Sequence, residues 1–366
     1  MGNNRENGVD RAVMSSPYLP YLTYYPYHRK LLPSTFCFLL FFRTFVVETF
    51  NYNHNLNTIT MKRLFLLIAL CGSIVAAKAQ APERQGWSGG FPLYGNVESV
   101  TITGYKLQDK FGEVIRGDVQ GKYKYCFNNA GDVIERAEYN SDGSLDRKYI
   151  YKYDSSGNMI EDAWYNSDGS LYYKYIYKYD TSGNKIEDAR YNSDGSLWSK
   201  NIYKYDTSGN KIEDAHYNSD GSLWRKSIYK YDTSGNVIED AWYNSDGSLA
   251  QKGIYKYDSS GNVIEKAHYN SDGSLSSKHI YKYDTSGNMI EWAWYNYGSL
   301  ASKYIYKYDS SGNKIEYAFY NSNGSLNCKE IYKYDSSRNL IEVTGYKSEA
   351  LIPGYQVEYK IVYRNK

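Results

Sequence analysis

Cysteine, histidine and proline are scarce in this sequence: 4 Cys, 5 His and 7 Pro among 366 residues. The scarcity of cysteine excludes a disulfide framework, because past the N-terminal region only Cys126 and Cys328 remain. They fall in the first and last copies of a repeat, beyond the ~7 Å Cα limit for a bridge in any linear array. An excess of either charge is also missing, since 43 basic and 41 acidic residues give a net charge of +2. No nucleic-acid partner is therefore expected. The chain carries no G-x-S-x-G, no Walker loop, no H-E-x-x-H and no C-x-x-C, so no catalytic residue, cofactor or metal is expected, and the chain reads as a non-enzyme. Finally, aliphatic core residues are few. Much of the 42% hydrophobic fraction is tyrosine, present 45 times, and tyrosine carries a polar tip that resists full burial.

What is present begins with an export signal. Lys62 and Arg63 precede an apolar run from Leu64 to Ala77, and Ala77-Lys78-Ala79 is a small-x-small cleavage site. These are the parts of a secretory signal peptide, and the run is too short to span a membrane comfortably. Residues 61–79 are thus read as the signal and residues 1–60 as an over-extended start without structure. Residues 80–96 read as a linker, and the mature chain is expected outside the cytoplasm (periplasmic, outer-surface or extracellular) with no transmembrane span.

The rest is a repeat. Tyr-Asp-[Ser/Thr]-Ser-Gly-Asn-x-Ile-Glu recurs with its glycine at 131, 157, 183, 209, 235, 261, 287 and 312, and Arg338 holds the ninth place. The step is 26 residues except for the last glycine-to-glycine interval of 25, where Tyr295-Asn296-Tyr297-Gly298-Ser299-Leu300 is one residue short. In the type unit Leu171 to Ser196, residues 171–179 alternate as a strand and 180–184 form a turn. Residues 185–191 form a second strand, and Asn192-Ser193-Asp194-Gly195-Ser196 a second turn. Nine such units give an array over 119–347, with an N-terminal cap at 97–118 and a capping strand at 348–366 whose alternating charges would blunt an exposed edge.

Alternation sets Leu171, Tyr177 and Tyr179 on one side of the sheet and Lys174, Ile176 and Lys178 on the other. Neither side is wholly apolar. The fold class is accordingly an all-β, elongated and twisted antiparallel meander, mostly single-layer or curled, held by tyrosine, isoleucine and Lys–Glu ladders such as Lys178 with Glu187. Left open, eighteen strands at ~4.8 Å would extend roughly 85 Å.

The core Tyr151-Lys152-Tyr153-Asp154-Ser155-Ser156-Gly157-Asn158 resembles the YD repeat of the Rhs family, and the Tyr-Asn-Ser-Asp-Gly-Ser segments look like MORN-type repeats of secreted bacterial proteins. The resemblance spans roughly 119–347 and implies a β-hairpin array of the bacterial envelope. The unit is longer than a usual YD repeat and only about twenty residues follow the last one, so the Rhs role of enclosing a toxin is not expected here.

Candidate site residues come from variation within the array. The second position of the first strand holds Trp198 and Trp224, and the residue before the second strand's Tyr holds Trp164, Trp242 and Trp294. These rings could form a platform for a sugar or a protein, or simply cover a thin sheet. The expected role is an envelope scaffold for a protein or surface partner, with carbohydrate binding through the Trp/Tyr columns as the alternative. His268 and His279 could approach across one turn, but a metal's ligand set is missing. The turn aspartates (Asp168, Asp194, Asp220, Asp246) offer one carboxylate each, too few for calcium.

Overall fold

The computed structural model describes residues 84–89, 91–347 and 351–364. The signal peptide and the stretch before it lie outside the described residues. Twenty strands follow one another: β1 (Val97–Lys110), β2 (Glu113–Phe127), β3 (Val133–Tyr139), β4 (Leu145–Tyr153), β5 (Met159–Asn166), β6 (Leu171–Tyr179), β7 (Lys185–Asn192), β8 (Leu197–Tyr205), β9 (Lys211–Asn218) and β10 (Leu223–Tyr231). The second half comprises β11 (Val237–Asn244), β12 (Leu249–Tyr257), β13 (Val263–Asn270), β14 (Leu275–Tyr283), β15 (Met289–Asn296), β16 (Ser299–Tyr308), β17 (Lys314–Asn321), β18 (Leu326–Tyr334), β19 (Leu340–Lys347) and β20 (Ile352–Tyr363). Among the described residues there is no helix, and hence none long and apolar enough to cross a membrane.

Strands β2 to β19 are the nine units, two strands each, and every strand pairs antiparallel with its sequence neighbours. The ends do not stay open. Strand β1 pairs with β2 on one side and with β20 on the other, through Val100↔Ile361, Ile102↔Tyr359 and Gly104↔Val357, and β20 also pairs with β19. The sheet therefore closes into a barrel, which corrects the open, elongated meander expected above. The terminal strands, read as edge-blunting caps, satisfy each other instead, and closure removes both edges.

Curvature has an identifiable source. Every pairing from β2–β3 round to β19–β20 carries one register irregularity, as between Lys178 and Tyr179 or between Arg190 and Tyr191 in the type unit. A bulge adds one residue on one strand, bends it and increases its twist, and a bulge at each step of the ring accumulates into closure.

Both turns of the unit share one design. In Asp180–Asn184 the Asp180 N–H donates to the Asn184 carbonyl at 2.9 Å, the Gly183 N–H donates to the Asp180 carbonyl at 3.1 Å, and Gly183 has φ of 82°. The Asp180 carboxylate accepts from the N–H groups of Ser182 and Asn184 and from the Asn184 side chain, which holds its carboxyl below the usual carboxylate range. In Asn192–Ser196, Gly195 takes the positive φ and Asp194 accepts from the backbone and hydroxyl of Ser196. These are three-residue loops that end in a left-handed glycine. The short unit takes another form, in which Tyr297 (φ 44°) and Gly298 (φ 83°) make a two-residue turn between Asn296 and Ser299. The missing residue comes out of the turn, and strand register is kept.

A hydrophobic cluster sits where the ring closes, built on Val100, Ile102, Tyr125, Phe127, Val343 and Val357. The segment before β1, read as a linker, packs on it. Trp87 lies edge-on to Tyr125 with centroids 4.9 Å apart, Phe91 lies 5.5 Å from Tyr332, and Leu93 is buried.

Candidate functional site

The two faces of the sheet differ in more than polarity. One carries Lys174, Ile176, Lys178, Glu187, Ala189 and Tyr191, and the equivalent residues are unchanged from Lys148 to Tyr346 apart from Thr344 in the alanine column. Its chemistry is structural. Lys178 Nζ meets Glu187 at 2.8 Å, and Glu239 sits between Lys230 at 2.9 Å and Lys252 at 2.7 Å, an arrangement repeated at Glu265, Glu291 and Glu316. Each exposed pair contributes little alone, but shared glutamates link hairpin to hairpin. The alanine column beneath them is buried.

The opposite, tyrosine face has one constant column, Tyr151 to Tyr332, and varies around it. The column of Tyr175 becomes Asn201, Ser227, Gly253, His279 and Tyr304, and that of Asp188 becomes Asp214, Asp240, Lys266, Trp292 and Tyr317. Pairings follow the sequence. Asp188 is buried and accepts from Asn201 at 2.7 Å and Tyr203 at 2.6 Å while Lys185 holds it at 2.9 Å. Asp240 leans over Gly253, where a Cβ would lie 1.9 Å from its Oδ1, so a larger residue there requires the Asp240 carboxylate to turn aside. Burial raises the Asp162 carboxyl to about 6, with Arg136 opposing. Across β14–β17 the face turns aromatic, with Trp292 stacked on Tyr304 at 4.4 Å and Tyr304 on Phe319 at 5.0 Å.

The five tryptophans all belong to this face or its border. Both of their columns flank the Asn-Ser-Asp-Gly-Ser turn, so they share one end of the strands. Trp198 and Trp224 are the extra residues of bulges, which brings them against the tyrosine-face column: Arg190 lies over the Trp198 ring at 5.3 Å, and His216 is 4.8 Å from Trp224. Trp198 is 56% exposed, Trp224 50%, Trp242 40% and Trp294 36%, whereas Trp164 is half-buried between Tyr149 and Tyr173. Sequence alternation missed this convergence because a bulge breaks the two-residue period. Tyr172, of the same column, is 54% exposed at the same bulged position.

Of the two neighbouring histidines, His279 is already engaged. His268 and His279 have ring centroids 6.2 Å apart, but the Trp292 indole N–H donates to His279 Nδ1 at 3.1 Å. No group of three or more His, Cys, Asp or Glu gathers among the described residues. Cys126 and Cys328 are free thiols. Ring closure places their strands four spacings apart, roughly 19 Å, still beyond bridging distance.

Comparison with known proteins follows this geometry. Residues 301–345 match a family model described as a protein of unknown function, DUF2963. No curated protein matches the chain. Among solved structures, the TcdB2-TccC3-TEV crystal structure is similar at 13% identity with a TM-score of 0.28, over 66% of this chain and 16% of that one. A porin-like protein from Bacteroides uniformis is 8% identical with a TM-score of 0.33, over 73% of this chain and 96% of that one. The Photorhabdus luminescens Tc holotoxin pore is 12% identical with a TM-score of 0.27, over 64% and 19%. The chain thus spans a fifth or less of the Tc chains it matches.

Proposed function

We propose that the chain is an exported, non-catalytic repeat scaffold, of the YD/Rhs-like or MORN-like kind, that binds a protein or surface partner through its tyrosine face. One observation carries the reading: variation between units is confined to the tyrosine face and its bulged border, while the Lys–Glu face repeats almost without change. Some of these residues are buried and fit one another, as Asp188 does with Asn201 and Tyr203, but the half-exposed border residues Tyr172, Trp198 and Trp224 differ from unit to unit where packing does not require it, as a surface fitted to a ligand does. Export rests on the signal pattern at 61–79.

A glycan is the second reading, favoured by the border itself. Tyr172, Trp198 and Trp224 are half exposed on consecutive units, and the last two have Arg or His against the ring. Flat rings beside hydrogen-bond donors suit the apolar face and hydroxyls of a sugar. A glycan array and a pull-down from envelope extracts, run with the same protein, separate the two. Trp198→Ala and Trp224→Ala should each weaken binding about fivefold, near 1 kcal/mol, with melting unchanged because the rings are half in solvent. Binding that survives both changes, or is lost on Lys204→Ala on the opposite face, would rule this surface out.

A further inference from the structure

Two departures from the repeat meet at one cavity. In eight of the nine equivalent turns (Phe-Asn in the first, Tyr-Asp in the rest) the left-handed position is glycine, with φ between 79° and 94°, but in the ninth it is Arg338 at φ 70°. A side chain there costs about 1 kcal/mol of backbone strain. The second departure is Lys314. Its equivalents Lys185 and Lys211 are paired with Asp188 at 2.9 Å and Asp214 at 3.3 Å, three residues on. Three residues on from Lys314 stands Tyr317, and among the described residues no carboxylate lies within ion-pair distance of the Lys314 ammonium. Instead Nζ faces the rings of Tyr332 at 4.4 Å and Phe91 at 5.1 Å.

Both cations line a cavity of about 200 Å³ whose walls include Phe91, Tyr94, Tyr308 and Tyr334. No carboxylate is among the lining residues. The hydroxyls of Tyr308 and Tyr334 are spent on the carbonyls of Met289 and Lys314. Nearby acids are committed elsewhere: Glu330 accepts from the hydroxyls of Tyr332 and Tyr355, and Asp309 holds its own turn. Arg338 donates to Asn313 and to the Ser311 carbonyl and lies 5.1 Å over Tyr94, which fixes the guanidinium at the cavity wall. Burial lowers the Lys314 pKa and the nearby Glu330 carboxylate only partly opposes it, because burial disfavours the charged ammonium.

We propose that this cavity binds a small organic anion, a carboxylate or phosphate carried on an aromatic or aliphatic body. The charge of Lys314 and Arg338 would take the acid group and the rings the body, and a cavity below the usual 300 Å³ of drug-sized sites admits only a small group. The site is separate from the tryptophan border, so neither reading depends on the other.

The test titrates the full chain at low salt with benzoate, phenyl phosphate, inorganic phosphate and neutral benzyl alcohol. Benzoate or phenyl phosphate should bind, the tighter of the two naming the acid group, and benzyl alcohol should not. Lys314→Met and Arg338→Gly should each weaken that binding about tenfold, while Lys314→Arg retains it. Arg338→Gly restores the residue of the other eight turns, so its folding is secure. Absence of anion binding, binding indifferent to both substitutions, equal binding of the neutral probe, or inorganic phosphate binding as well as phenyl phosphate would each overturn the proposal.

Discussion

At the scale of single residues, the tyrosine of each Tyr-Asp pair explains its own recurrence. Its hydroxyl donates to the carbonyl twenty residues earlier, at the start of the preceding unit's second strand: Tyr179 to Met159 at 2.7 Å, Tyr205 to Lys185 at 2.7 Å, Tyr231 to Lys211 at 2.6 Å. That carbonyl lies beside a bulge, so the hydroxyl ties one unit to the next where the ladder is broken. Tyr205→Phe keeps the ring and removes only this bond. It should lower stability by about 1 kcal/mol, read as a shifted urea midpoint with no change in slope. A second residue works in the other direction. The Asp162 carboxyl, raised to about 6 chiefly by burial, binds its proton more tightly folded than unfolded. Its contribution is therefore unfavourable above pH 6, and stability should rise as pH falls from 6 towards 4. Asp162→Asn should stabilise the protein at pH 7 and flatten that stretch of the profile, and an unchanged profile would show the carboxyl to be unperturbed.

At the scale of the element, strands, turns and faces were legible because each rests on local chemistry. Two-residue alternation placed Lys178 beside Glu187 and Tyr177 on the opposite side, and Asp or Gly residues marked the turns. Bulges were not legible, since an inserted residue looks like one more member of the alternating run. That single omission hid the meeting of Trp198 with Arg190 and the source of curvature. The glycines divide accordingly. Gly298 stands at φ 83° in the short turn with nothing within 4 Å of a built Cβ, so Gly298→Ala suffers from conformation alone, about 1 kcal/mol. Gly253 has no positive φ, but its Cβ would meet Asp240 Oδ1 at 1.9 Å. Gly253→Ala therefore forces the Asp240 carboxylate aside, and adding Asp240→Ala should recover most of the loss, a coupling that a double-mutant cycle measures.

At the scale of the molecule, closure depends on one long-range pairing that no local pattern encodes. Strands β1 and β20 are separated by the whole array, and the hydrophobic residues that join them, Val100, Ile102, Tyr359 and Ile361, look in sequence like the buried sides of two end caps. Ring closure also changes what a deletion does. In an open array, whole units could be lost with little consequence. In a closed meander the number of strands must stay even, because β1 and β20 meet antiparallel only if an even count separates their directions. Removing Leu197–Ser222, one unit of 26 residues, leaves eighteen strands and an antiparallel closing pair. Removing thirteen residues leaves nineteen strands, and β20 would then arrive parallel to β1 with its hydrogen bonds and the Val100–Ile361 pairing lost. The first variant should remain a compact monomer in small-angle scattering, slightly smaller than the parent. The second should expose two strand edges, open toward an extended particle and self-associate through them. If both deletions scatter as compact monomers, β1 and β20 do not close the sheet in solution.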